Sequence, residues 1–127
     1  SALYASKVVA YSQGFDQIAA ASAAYGWAID RGAMARIWRG GCIIRAALLE
    51  DIRTAYKTKA ELPNLLPDPH LGKEFLSREA DLREVVQTAV ALGVPAPGLM
   101  ATLSYFDAYR SAVLPASSSY LRARRRS

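Results

Sequence analysis

Trp38-Arg39-Gly40-Gly41-Cys42-Ile43-Ile44-Arg45 is the stretch in which two helical patterns meet. The segment before it, opening at Asp30, reads as a short helix with Asp30 as its N-cap. The segment after it, from Cys42 to about Tyr56, reads as a longer amphipathic helix. There Ile44, Leu48, Ile52 and Tyr56 recur at i, i+4, with Ala47 and Ala55 beside them, while Glu50, Asp51, Arg53 and Lys57 take the other side. Each of two adjacent glycines costs a helix about 1 kcal/mol relative to alanine. Trp38, Arg39, Gly40, Gly41 and Cys42 are therefore expected to form a structural helix break, one that permits positive φ and lets a neighbouring helix come close. The pair does not follow a strand and lacks the G-x-G-x-x-G spacing, so it does not read as a dinucleotide-binding turn.

Working outward, residues 2–25 read as the first and longest helix. Tyr4, Val8, Tyr11, Phe15 and Ile18 lie on one stripe, and Gly26 is the expected C-cap. Gly14 and the alanines at 19, 20, 21, 23 and 24 leave thin faces that neighbouring helices are expected to approach. Residues 58–69 hold three prolines and read as a connection pinned to the core by Leu62, Leu65 and Leu66. A short helix is expected near residues 70–76. Ser77 is the expected cap of the next one, with Glu79 and Asp81 in its first turn, Leu82, Val85, Val86, Ala89 and Val90 on its apolar face, and Gly93 at its end. The last helix is expected from about Gly98 to Val113, with Leu99, Leu103, Phe106 and Val113 inward and Pro115 beyond it. No strand pattern and no internal repeat is visible. The expected fold is all-α, with about five to six helices.

The chain has 127 residues, 52% of them hydrophobic, which suits one folded domain with an ample core. A single cysteine excludes an intrachain disulfide and a cysteine-cluster metal site, and a single histidine excludes a site built from several. Residues 85–106 carry no charge and are long enough to span a bilayer, but Gly93, Pro95, Pro97 and Gly98 interrupt them. Two packed helices and a tight loop are expected instead, with no membrane span and a cytoplasmic location. The net charge is +5, of which Arg122, Arg124, Arg125 and Arg126 supply all but one unit. The body is thus nearly neutral, and nucleic acid is not an expected partner for it.

Candidate chemistry is sparse. Cys42 lies near an expected helix N-terminus, where a thiolate is favoured, but Ile43 and Ile44 beside it favour a packing role. His70 lies between Pro69 and Leu71, with Asp68 as the near carboxylate, and reads as a surface or helix-capping residue. Arg39 and Arg45 suit either an anion at a helix N-terminus or internal pairing with Asp30, Glu50 or Asp51, and the internal role is favoured. No residue reads as a catalytic, cofactor-binding or metal-ligating group. The polybasic tail near an anionic surface is worth about 4 kcal/mol, or roughly millimolar affinity, too weak to anchor the chain.

The octet around Gly40-Gly41, together with Leu3-Tyr4-Ala5-Ser6-Lys7, Tyr11-Ser12-Gln13-Gly14-Phe15, Tyr25-Gly26-Trp27, Leu103-Ser104-Tyr105-Phe106-Asp107-Ala108-Tyr109-Arg110 and Leu114-Pro115-Ala116-Ser117, resembles the all-helical C-terminal domain of 6-phosphogluconate dehydrogenase. The blocks keep the family's order and spacing from about residue 2 to residue 117. The resemblance implies helices that pack on an upstream helical half and a Rossmann domain, and a dimer interface through the helical part. It implies an NADP-dependent oxidative decarboxylation of 6-phosphogluconate to ribulose 5-phosphate, whose catalytic lysine, glutamate and serine-glycine-glycine loop lie on segments upstream of the matching one. In the family, an arginine and then a histidine after the Leu-Pro-Ala-Ser block grip the substrate phosphate across the dimer. By counting, that arginine falls at Ala123, between Arg122 and Arg124, and the histidine falls past Ser127. Arg122 and Arg124 are the weak substrate-binding candidates that remain.

Residues 1–117 are therefore expected to be a helical domain of this type, and 118–127 a disordered Ser/Arg-rich tail. The expected role is scaffold and subunit contact, the chain alone being inactive, with NADP belonging to the family's intact enzyme. The expected partners are a second copy or the rest of the enzyme. A competing reading is a stand-alone helical binding or dimerisation module whose arginine tail touches nucleic acid.

Overall fold

The computed structural model describes residues 1–41 and 47–111, which form six helices and, among the described residues, no strand. They are α1 (Ala2–Tyr25), α2 (Arg31–Gly41), α3 (Leu48–Thr58), α4 (Pro69–Leu76), α5 (Glu79–Ala91) and α6 (Pro97–Arg110). The all-α expectation holds. α1 is the central post, with α4, α5 and α6 against it, and α2 packs chiefly on α3.

The expected bounds of α1 are met. Gly26 ends it at φ 66°, a left-handed conformation that costs glycine nothing, and its N–H returns to Ser22 O. Ser22 Oγ accepts from Ile29 N (2.9 Å), and Ala28 also stands at positive φ. The resulting reversal delivers Asp30 to the start of α2, where its carboxylate caps Ala33 N at 3.0 Å as expected.

The core is one cluster. Phe15, Phe75, Leu49, Ile52, Leu65, Leu71 and Leu82 are fully buried at its centre. Phe75 meets Phe106 at 4.4 Å between ring centroids, joining α4 to α6. Leu62 and Leu65 are buried and Leu66 packs on the cluster, so the proline-rich connection is pinned as expected. Gly72 sits under that connection. A Cβ there would stand 2.3 Å from Leu66 O, so α4 comes this close only because the position is glycine.

Several boundaries differ from expectation. The helix expected from Cys42 is described only from Leu48, since residues 42–46 lie outside the described residues. Ser77 does not cap α5. It is the C-cap residue of α4, and its hydroxyl donates to Glu74 O (2.9 Å), while Arg78 holds the α5 N-cap position without a side-chain capping bond. The α4 turn runs one residue further than the Ser77 pattern suggests and takes the serine with it. α6 opens at Pro97, which suits a first-turn position because it needs no N–H acceptor. It ends at Arg110, with Ser111 extended, and Val113 lies outside the described residues. The uncharged run at 85–106 is divided between α5 and α6, and Val94 N closes α5 by donating to Ala89 O (2.8 Å). Among the described residues no helix is long and apolar enough to cross a membrane.

Candidate functional site

The octet's described residues hold α2 in place. Trp38 is partly buried, with its ring 5.1 Å from Phe15 and 6.3 Å from Tyr11 on α1. Arg39 pairs with Glu50 on α3, and Glu50 also accepts from Arg53 Nε at 3.0 Å. The Arg53 hydrogen bond, and then the Arg39 charge, hold the Glu50 carboxyl below its usual range. Arg39 thus takes the internal pairing. Gly40 and Gly41 are the last residues of α2, and the residues that follow, 42–46, lie outside the described residues, as does the rest of the expected helix break. A Cβ on Gly40 would meet nothing within 4 Å among the described residues. Cys42, Arg45, Arg122, Ala123 and Arg124 lie outside the described residues.

His70 is a surface residue in the first turn of α4. Asp68 Oδ1 caps that helix, accepting from His70 N (3.0 Å) and Leu71 N (2.9 Å). The imidazole Nε2 lies 3.8 Å from Asp51 Oδ1. The pair ties α4 to α3.

The structure brings together a polar cluster that sequence reasoning missed. Asp16, the one acid on α1, accepts at Oδ2 from Tyr105 OH of α6 (2.7 Å) and from Asn64 Nδ2 of the proline-rich connection. Asn64 is buried, and its Oδ1 accepts from Leu66 N (2.8 Å). Burial, followed by the bond to Asp16, pushes the Tyr105 phenol up to about 12. Tyr56 is buried near this cluster, its hydroxyl and Asp16 Oδ1 both without a partner among the described residues. Burial lifts its phenol to about 12, against the opposing pull of Arg31. A signal was available for Asn64, a lone polar residue between Leu62-Pro63 and Leu65-Leu66, but less for Asp16, which lies between Phe15 and Gln17.

Between the C-terminal end of α1, the start of α2 and the end of α3 lies a cleft of about 760 Å³. One wall is small and mostly apolar, formed by Ala19, Ser22 and Ala23 of α1 with Ala28 beyond. The other carries charge. Arg31 donates to Leu62 O (2.8 Å) and Ala60 O (2.6 Å) and lies 4.6 Å over the Tyr56 ring, so it staples α2 to the segment after α3. Arg36, Arg53 and Lys57 complete the cationic side, facing Asp30 and Glu61.

These elements define a helical packing domain: six helices, one core, and polar groups spent on internal ties. Its relatives are specific. The family model for the 6-phosphogluconate dehydrogenase C-terminal domain matches residues 1–125, and the chain belongs to that family. The chain is 49% identical over 116 residues to the chloroplastic decarboxylating 6-phosphogluconate dehydrogenase 2 of Spinacia oleracea, covering 91% of this chain and 22% of that one. It is 49% identical to the NADP(+)-dependent decarboxylating enzyme of Bacillus subtilis, covering 91% and 25%. Plasmodium falciparum 6-phosphogluconate dehydrogenase, solved in its apo form, with its cofactor NADP+ and with its substrate 6-phosphogluconate, superposes with a TM-score of 0.88 at 36% identity, over 93% of this chain and 25% of that one. The chain spans about a quarter of the length of these relatives.

Proposed function

We propose that this chain is the helical packing and subunit-contact portion of an NADP-dependent 6-phosphogluconate dehydrogenase. In this reading it acts in the cytoplasm within the pentose phosphate pathway, as part of a homo-oligomer. Hydride transfer and decarboxylation belong to groups outside these residues. The described residues form helices only, without the strand and glycine turn that seat a dinucleotide, so they do not fit NADP and no step through it is assigned to them.

The observation that carries the reading is the apolar surface left in water. Leu3, Trp27, Ile37, Val90 and Leu92 are each about 60% exposed or more. Each large side chain so placed forgoes about 1.5–3 kcal/mol of burial free energy. A domain that covers a quarter of its relatives' length has the rest of such an enzyme, and a second copy, to cover these side chains.

Two measurements test this. Light scattering of the purified chain is expected to show self-association, or a 1:1 complex with intact enzyme of this family. A monodisperse monomer that ignores the intact enzyme would count against subunit contact. Incubation with 6-phosphogluconate and NADP is expected to give no NADPH absorbance, and turnover that survives removal of host enzyme would overturn the scaffold role.

A further inference from the structure

We propose that the cleft between α1, α2 and α3 binds a small, multiply charged anion of the phosphate-ester class, gripped by Arg36 and Lys57 with Arg31 behind them. The cleft holds four cations, Arg31, Arg36, Arg53 and Lys57, against two carboxylates, Asp30 and Glu61. Arg53 is the one already neutralised, through Glu50. Arg31 donates to two neutral carbonyls and meets no carboxylate at ion-pair distance among the described residues. Arg36 and Lys57 have no ion-pair or hydrogen-bond partner among the described residues.

The other described arginines are paired. Arg39, Arg53, Arg78, Arg83 and Arg110 each meet a carboxylate within 3.0 Å. Three cations from two helices, none in an ion pair among the described residues, thus face one concavity. Such a concavity concentrates an anion more than isolated surface charges do, because its walls exclude water and focus the field. The guanidinium groups suit a tetrahedral oxyanion by forked donation, and Lys57 adds a mobile point charge. The volume, about 760 Å³, lies within the range of small-molecule sites. The alanine wall suits the uncharged body of an ester more than bare phosphate. Asp30 is held by its cap to Ala33 N and Glu61 is exposed at the rim, so the lining stays net positive and its attraction grows with the charge of the anion.

The test uses the full 127-residue chain and inorganic pyrophosphate as probe, with calorimetry at constant ionic strength and amide NMR. Saturable binding is expected, with shifts centred on Gly32, Ala33, Tyr56 and Lys57. The double variant Arg36→Gln/Lys57→Gln is expected to weaken binding at least tenfold. Both side chains are exposed and unpartnered, so its circular dichroism and melting midpoint are expected to match the parent. Arg39→Gln, which removes a cation outside the cleft, is expected to leave binding unchanged. A third variant, with Arg122, Arg124, Arg125 and Arg126 all changed to Gln, separates the cleft from the tail. Binding abolished by that tail variant, or untouched by the cleft double variant, overturns the proposal. So does the absence of binding by the parent chain, which would leave the cleft as a seat for polypeptide.

Discussion

Near the start of α1, Ala2, Ala5 and Ser6 are buried, and Ser6 Oγ lies 3.0 Å from Thr102 Oγ1 of α6. Toward the other end of the same helix, Ala20, Ala23 and Ala24 face solvent, and Tyr25 stacks on Trp27 in the open at 4.7 Å. Both stretches are rich in small residues, and the helix runs unbroken through them. A small side chain permits close approach and does not compel it, since an alanine contributes little burial free energy on either side of a contact. What separates the two ends is Phe15. Just after it Asp16 still reaches Tyr105 of α6, and Ile18 packs on the core, but from there to Tyr25 no residue of the helix is fully buried.

The largest effect expected from this contrast comes from Phe15→Ala. The ring is fully buried between Trp38 (5.1 Å) and Tyr56 (5.4 Å), and removing it is expected to cost about 3–5 kcal/mol, read from the urea midpoint. Tyr25→Ala at the exposed end is expected to cost under about 1 kcal/mol in the same assay. Comparable losses would mean that the exposed end is covered in solution.

Two glycines sharpen the same point. Gly72→Ala forces a Cβ against the Leu66 carbonyl, and a loss of about 1–3 kcal/mol is expected as α4 is pushed off its seat. Gly14→Ala lies inside α1 with nothing within 4 Å of the new carbon, and is expected to raise stability by about 0.5–1 kcal/mol. Thermal melts distinguish the two by sign.

The polar ties predict pH behaviour. Tyr56 and Tyr105 hold their protons to about 12 in the folded chain, above the ordinary value of 10.0. The unfolded chain releases them first, so stability is expected to be flat up to about pH 10 and to fall from there to about 12. Absorbance at high pH is expected to show two late-titrating phenols, and Tyr56→Phe to remove one without loss of stability, because its hydroxyl has no partner among the described residues. A single ionisation step near 10 for every tyrosine would break this assignment.

The smallest effect expected is at the α5–α6 clamp. Arg83 bridges Glu79 and Asp107, and its hydrogen bond is the main cause holding the Asp107 carboxyl below its ordinary range. That contribution is present above the ordinary value of 3.8 and is lost as pH falls below it. The group is partly exposed, so Asp107→Asn is expected to cost under about 1 kcal/mol at neutral pH and to flatten the acid limb of the stability profile.

Much of this was legible from local pattern. The bounds of α1, the Gly26 stop, the Asp30 cap and the pinning leucines of the connection follow from spacing and capping chemistry within a few residues. Ser77 was misread because a serine before an acidic turn looks like an N-cap, and the competing carbonyl of Glu74 belongs to the preceding helix. Gly40-Gly41 reads as a helix break because intrinsic propensity disfavours it in a helix, and α2 does end at Gly41 among the described residues. Trp38 against Phe15 and Tyr11, and Arg39 against Glu50, hold that last turn by tertiary contacts.

The order of apolar and capping residues determined by itself that this chain is helical and where most of its helices begin and end, because those properties depend on neighbours within a turn or two. Only the tertiary structure decided that Asp16, Asn64 and Tyr105 share one hydrogen-bonded cluster and that Arg31, Arg36 and Lys57 face one cleft. Such groups lie tens of residues apart in the chain, and no local spacing encodes their meeting. It is the packing of α1 against its neighbours that sets them side by side.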